Sequence, residues 1–523
     1  MLLKIKANQL LNLEQIPLIH FYDFYNCILA MVENEEAQIV HYLGYLINGR
    51  KMLMIVMRTH KQSVGELHIG VTYAPTEYLS FTANHKMFQL FEREIFEEYQ
   101  VKMLGHTQLK PLRNNFENYE FYSIAGENVH QVAVGPVHAG VIEPGHFRFN
   151  CMGERVAHLE IRLGYQHRGI EKLLLATPFT INRAAILIEA VAGDSAVVNA
   201  LTFSEMMESA LNLLDEKNEQ GEKDEGEIEN LKMIRTLALE LERLSNHIGD
   251  LGALSGDVAF LAPAAYFGRM RGEFLNLLLL LSGNRFGKGL IRPANNYYTV
   301  TITDINQIEK KLDELNREII HVSSLLFSTQ EIIDRFEGVG VIDYQTALKL
   351  GVVGVAARAS GVSYDVRKSF LPGYYYNLEQ QNKNINTKNK NKNTSKNNGD
   401  VLARAETRYF EALDSIRLIK FLLESLRKKI DQQQMVKSKM DLKDVNKKVL
   451  PISSVVVAIN EGWRGEISHL MITDNMGQII RYKIKDPSFH NWPALALAMR
   501  DQEISDFPLC NKSFNLSYCG FDL

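Results

Sequence analysis

Histidines, carboxylates, arginines and glycines crowd one stretch of the sequence, Gly135 to Ala200, at places where a packed core needs none of them. It opens GPVHAGVIEPGHFRF (135–149), continues GYQHRGIEK (164–172) and closes in EAVAGDSAVVNA (189–200). His138, Glu143 and His146 fall in the tip of an expected β-hairpin. An imidazole titrating near neutrality with a carboxylate behind it can hand a proton to a reacting group. The stretch is therefore expected to frame a redox-type pocket. The alternative is that the two histidines bond the loop backbone and Glu143 is an ordinary loop carboxylate.

Two further groups of charges accompany it. His167, Arg168 and Glu171 sit where a strand gives way to a helix, and ion pairing across that join is the expected role. Arg358, Asp365 and Arg367 lie in a glycine-containing segment, 351–376, and are expected to form a buried charge network beside the pocket. Such networks are as often structural as functional.

Cysteine chemistry is nearly excluded. Cys27, Cys151, Cys510 and Cys519 are scattered without a CxxC pair. That argues for a reducing compartment and against a disulfide framework. It also argues against an iron–sulfur cluster held by this chain, since such clusters take about four thiolates. The expectation for Cys510 and Cys519 is an inert buried thiol.

The elements that must position these residues follow from length and pattern. A chain of 523 residues exceeds one ordinary core. Residues 1–120 read as a small α+β unit, with β-prone runs in Val32–Met57 and Glu66–Ala74 and an acidic helix at FEREIFEEYQ (91–100). A polar linker is expected over 115–133, and a second domain over 130–523. Past the hairpin, Ala, Leu, Ile and Met suit one long helix from Phe179 to about Leu214. The acidic run 215–230 then reads as a solvated break. Leu237, Leu241, Leu244, Ile248 and Leu251 recur at steps of four and three, the stripe of a bundle helix. Helices are expected to continue through 264–281 and 304–336, and to resume from Asp400.

Segment 351–376 reads as non-helical. Residues 377–398 are an Asn/Lys tract too poor in apolar groups to order itself, a disordered insertion. Three strands (SSVVVAI, GEISHLMITD, QIIRYKIKD) and a helix from DPSFHN close the chain, with Asp486 or Ser488 as the N-cap. The fold class is α+β, a helix bundle with peripheral hairpins and sheet. A formal net charge of -4 gives no reason to expect nucleic acid. No run approaches the roughly 18–20 apolar residues of a membrane span.

With those motifs in view, the sequence resembles a known assembly. FEREIFEEYQVKMLGHTQLKPLR (91–113) resembles the signature of the 30-kDa subunit of respiratory complex I, with Thr107 departing from the usual proline. The resemblance implies an interface role toward other subunits for Glu92, Arg93, Glu94, His106, Lys110 and Arg113. From about residue 130, five pieces in order are similar to the complex I 49-kDa subunit and to large subunits of complex-I-like [NiFe] hydrogenases of the formate hydrogenlyase and hydrogenase-4 type. They are GPVHAG…EPGHFRF, GYQHRGIEK, LERLSNHIGDLGALSGD, ARASGVSYDVR and IKDPSFHN.

In the hydrogenase members two CxxC pairs hold nickel and iron. Here those positions fall on Ala192, Ser195, Ser517 and Gly520, with Cys519 one place off register. The resemblance therefore implies no nickel site and no hydrogen chemistry. Complex I members use the same cavity for quinone, with a loop histidine paired to a helix aspartate. That implies His138 or His146 as headgroup donor, Asp257 as its partner, and a lost tyrosine donor near Ala192.

The implied function is an oxidoreductase subunit of a membrane-associated, energy-converting complex. The chain itself carries no cofactor. A small partner subunit carries an iron–sulfur cluster, and antiporter-like membrane subunits lie below. Any NAD chemistry belongs to another subunit, since no GxGxxG stands on a strand–helix turn here. The implied location is peripheral, on the cytoplasmic side of the inner membrane. The alternative is a redox-silent scaffold and coupling subunit of the same type of complex.

Overall fold

The computed structural model describes residues 2–59, 65–113, 119–137, 142–176, 178–215, 225–370, 372–375, 398–431 and 445–523. His138 and nearly all of the Asn/Lys tract lie outside the described residues. The fold is α+β. A four-stranded antiparallel sheet at the N-terminus runs in the order Leu3–Lys6, Glu66–Tyr73, Arg50–Arg58, Gln38–Ile47. The helices Phe21–Glu35 and Gln89–Tyr99 pack on it. The first of these was not foreseen, because its apolar face merges with the β-prone run that follows.

The N-terminal unit is stitched into the rest. Leu11–Asn12 forms the edge of the C-terminal sheet, pairing with Ser454–Val455 of strand Ser454–Glu461. Glu466–Thr473 and Ile479–Lys485 complete that sheet. One apolar cluster accordingly runs from Leu2 through Phe91 and Phe147 to Trp492 and Phe521. The second cluster is the bundle of Glu225–Asp257, Leu261–Ser282, Ile302–Ser328 and Val401–Asp431. Its stripe residues Leu237, Leu241, Leu244, Ile248 and Leu251 are all fully buried, as their spacing requires.

Three expectations need correction. The polar linker ends in a strand, Val129–Val134, which pairs with His146–Met152 to make a three-stranded sheet with Arg155–Arg162. The long helix of 179–214 is two, Ile181–Glu189 and Ala196–Leu211. Arg168 accounts for the break by donating to the Ala190 and Val191 carbonyls at 2.7 and 2.8 Å, where a continuing helix would need them. Segment 351–376 is not free of helix, since Gly354–Ala359 and Val366–Ser369 are short helices, the latter capped by Asp365. The helix expected from DPSFHN, Pro487–Ala498, has Asp486 as its N-cap, accepting from the Ser488 N–H at 2.8 Å, and one more helix, Phe507–Phe514, follows it.

Candidate functional site

The helix break between Glu189 and Ala196 brings together a cluster of buried polar groups, the site called the cleft below. The turn carries Asp194, whose carboxylate makes a two-point ion pair with the Arg464 guanidinium at 2.8 and 2.7 Å. Burial works to raise the Asp194 carboxyl, but Arg464 overrides it and holds the group below its ordinary range. Trp463, beside Arg464, donates its Nε1–H to the Asp194 carbonyl at 2.9 Å and to Ser195 Oγ at 3.1 Å. Asp194 and Arg464 were not singled out in the sequence. The usable signal was a charged residue inside a glycine turn on each side, AVAGDS and EGWRGE.

The C-terminus closes the opposite wall. Ser517 Oγ accepts the Gly520 N–H at 2.9 Å and lies 3.5 Å from Cys519 Sγ. Arg168 links this wall to the helix break through the Cys519 carbonyl at 3.5 Å. Burial, and next the Glu143 carboxylate that hydrogen-bonds it, push the Cys519 thiol up to about 12. Burial also pushes the Asp522 carboxyl up to about 6, although it accepts the Gly164 and Gln166 N–H groups at 2.7 and 2.9 Å. Glu143 therefore faces both Cys519 and Asp522 from the hairpin loop. Gly145 explains the close approach, because a Cβ there would stand 2.6 Å from Tyr518 Cε1.

Behind the break lies Glu242, fully buried on helix Glu225–Asp257. Its carboxyl accepts the first amides of helix Ala196–Leu211, Val197 N–H at 2.7 Å and Val198 N–H at 3.2 Å. Desolvation dominates over those bonds and pushes it up to about 8, with Asp194 adding repulsion. Burial thus favours the protonated form of Glu242, at the start of helix Ala196–Leu211.

The predicted charge network is assembled. Arg358 pairs with Glu411 at 2.6 Å and Glu461 at 2.7 Å, and Asp365 stands 3.9 Å away. Arg367 pairs with Asp365 at 2.6 Å and reaches Glu240 at 3.6 Å. His247 joins through Glu411 at 2.9 Å. Burial opposes the charge on Glu411, yet Arg358 and His247 hold it well below the usual carboxylate range. Arg243 bonds the Glu461 and Gly462 carbonyls at 2.6 and 2.9 Å, one turn from Arg464. Glu171 pairs with Lys483 at 3.0 Å and accepts the Ile484 N–H, while His167 bonds the backbone at Asp522 and Leu523.

Other predicted residues stand apart. His146 is buried, its Nδ1 bonding the Gly135 carbonyl at 3.1 Å and its ring against Phe121. Asp257 is exposed at the end of its helix and makes no hydrogen bond or ion pair with His146 or Glu143. The signature residues of the N-terminal unit are buried or half-buried and bonded within this chain. Glu92 accepts from Ser80, Phe81 and Thr82, and Arg93 donates to the Lys110 and Pro111 carbonyls. Glu94 bridges Arg113 at 2.5 Å and Lys483 at 2.7 Å, fastening the unit to the C-terminal sheet. His106 accepts the Gln108 N–H on Nδ1, and Lys110 pairs with Glu160 at 2.7 Å.

The fold and the family match define a class. The family described as "Respiratory-chain NADH dehydrogenase, 49 Kd subunit" matches residues 257–522, and the chain belongs to it. Among curated relatives it is 26% identical over 407 residues to formate hydrogenlyase subunit 5 of Escherichia coli (strain K12), covering 78% of this chain and 65% of that one. It is 27% identical over 396 residues to the carbon monoxide-induced hydrogenase of Rhodospirillum rubrum, covering 74% of this chain and 98% of that one. It is 26% identical over 392 residues to NADH-quinone oxidoreductase subunit 4 of Thermus thermophilus, covering 71% and 89%. A chain of the membrane-bound sulfane sulfur reductase, an archaeal respiratory membrane complex, shares the fold with a TM-score of 0.64 at 23% identity, over 77% of this chain and 100% of that one. Among the described residues no helix is long and apolar enough to cross a membrane.

Proposed function

We propose that the chain is the large subunit of a complex-I-like, energy-converting membrane complex, and that its cleft delivers protons to a quinone. One observation carries this reading. Asp522, buried and pushed up to about 6, stands with the half-buried Glu143 beside Cys519, next to the segments that align with the metal-holding positions of hydrogenase-type relatives. The donor set does not fit a nickel–iron centre, since soft metals take thiolates. Ala192 offers a methyl group, and the Ser195 and Ser517 hydroxyls are already bonded. Cys519 stays protonated. Gly520 has no room for a thiol, because a Cβ there would stand 2.6 Å from Asp486 Oδ2.

The chemistry is proton supply. A quinone that takes two electrons from an iron–sulfur partner subunit needs two protons to leave as quinol. Asp522 gives one from a pKa matched to the task, and Glu143 relays the second from solvent. The anion left at Asp522 is felt through a low-dielectric interior by Asp194–Arg464 and then by the Arg358 network. That network would pass the charge change to antiporter-like membrane subunits. Asp257, exposed at the bundle end, would face a partner. His138 stays a candidate headgroup donor on the hairpin, and His146 positions that loop through Gly135.

The test is quinone reduction by the purified complex. A Glu143→Gln/Asp522→Asn double variant is expected to assemble and to lose at least about tenfold in turnover near neutral pH. Unchanged turnover would favour the scaffold reading, which the internally bonded hydroxyls of Ser195 and Ser517 support.

A further inference from the structure

The seam between the N-terminal unit and the rest of the chain holds a cavity of about 380 Å³. That is within the range of small-molecule sites, roughly 300–1,000 Å³. Its apolar wall is built from both sides, by Leu90 and Leu112 from one and by Leu163, Trp492, Ala496 and Phe521 from the other. A cavity with only that wall would be an oil pocket, but its charge is lopsided. Lys86, Arg93, Arg162 and Arg500 line it against a single carboxylate, Glu160.

Glu160 is already committed. It accepts from Lys110 Nζ at 2.7 Å, the Tyr119 hydroxyl at 2.8 Å and the Tyr122 N–H at 2.6 Å. Arg93 is buried, and its Nε and Nη2 donate to carbonyls, which leaves Nη1 without a hydrogen-bond partner among the described residues. Among the described residues Lys86 and Arg500 form no ion pair. Burial pushes the His158 imidazole below its ordinary range, so it adds no positive charge at neutral pH. A buried guanidinium with an open donor and two unpaired rim cations, beside leucine and tryptophan side chains, ask for one kind of ligand.

We propose that this seam binds a small amphipathic anion, a carboxylate on an apolar body of the medium-chain fatty-acid class. The carboxylate meets Arg93 and the rim cations Lys86 and Arg500, and the chain lies along Leu163, Trp492 and Ala496. Because the site is shared between the N-terminal unit and the C-terminal helix, occupancy ties the two together and raises stability by mass action.

The test uses decanoate, decanol and inorganic phosphate on the purified complex, by calorimetric titration and thermal unfolding. Decanoate is expected to bind at least about tenfold more tightly than decanol or phosphate and to raise the unfolding temperature. Lys86→Gln/Arg500→Gln, both outside the proton-handling cleft, is expected to weaken decanoate at least about tenfold while leaving decanol unchanged. Ala496→Trp is expected to abolish binding by filling the wall. The proposal is overturned if decanol or phosphate matches decanoate, if the charge variant binds as well as the parent, or if nothing binds. It is also overturned if Ala496→Cys cross-links to another subunit, which would make the seam a protein contact.

Discussion

Replacing Glu242 by glutamine should remove a specific pH dependence from the stability of the chain. The carboxyl titrates near its ordinary value of 4.5 when the chain is unfolded, and is pushed up to about 8 in the folded protein. The folded state therefore keeps a proton that the unfolded state releases. Stability from this group is complete below about pH 4.5 and is lost progressively as the pH rises through about 8. At 1.36 kcal/mol per pH unit, the loss amounts to about 1 kcal/mol near pH 5, about 3 near pH 7 and about 4 to 5 above pH 8. Glutamine keeps an acceptor for the Val197 and Val198 amides but cannot ionise. Denaturant unfolding at several pH values should show the variant losing at least about 2 kcal/mol less than the parent between about pH 5 and 7. A protonated-carboxyl C=O band near neutral pH in the infrared spectrum should vanish in the variant. Identical stability profiles for parent and variant, or the absence of that band in the parent, would refute the reasoning.

The other predictions concern the charge network, Gly520 and the Asn/Lys tract. Arg358→Ala leaves Glu411 and Glu461 buried without their main partner and should cost about 3–5 kcal/mol, read by denaturant unfolding. A cost under about 1 kcal/mol would mean that the network is solvated. Gly520→Cys should not create a nickel site, and displacement of Asp486 should cost about 1–3 kcal/mol. Stoichiometric nickel in that variant by metal analysis would contradict the steric argument. Deletion of Lys383 to Asn397 should leave assembly of the complex intact on native gels, and failed assembly would identify the tract as a docking segment.

The bundle, the C-terminal strands and the α+β class were legible because burial imposes a period, as the leucine stripe of Glu225–Asp257 shows. The family was legible because five motifs appear in order. The helix break at 190–195 was not, since its cause is Arg168, about two dozen residues upstream and without local signal. The cleft was half legible. Its hairpin and the segments 189–200 and 513–523 were singled out from the sequence, and the structure brings Glu143 to Cys519 and Asp522. Asp194, Arg464, Glu242 and Asp522 were missed because their significance is tertiary. Each is an ordinary charged residue until a buried partner or its absence sets its proton affinity. The pairing of Leu11–Asn12 with the C-terminal sheet was equally hidden, because a two-residue edge strand has no period.

Quinone binding beside Glu143 and Asp522 is what would make the chain redox-active rather than a scaffold. The direct measurement is to titrate the purified complex with a quinone analogue while following the electron paramagnetic resonance signal of the partner's iron–sulfur cluster. The signal is expected to shift in the parent, and the shift to be lost or markedly weakened in Glu143→Gln/Asp522→Asn. An unshifted signal in the parent, with ion translocation intact in the double variant, would contradict that expectation and leave the chain a scaffold.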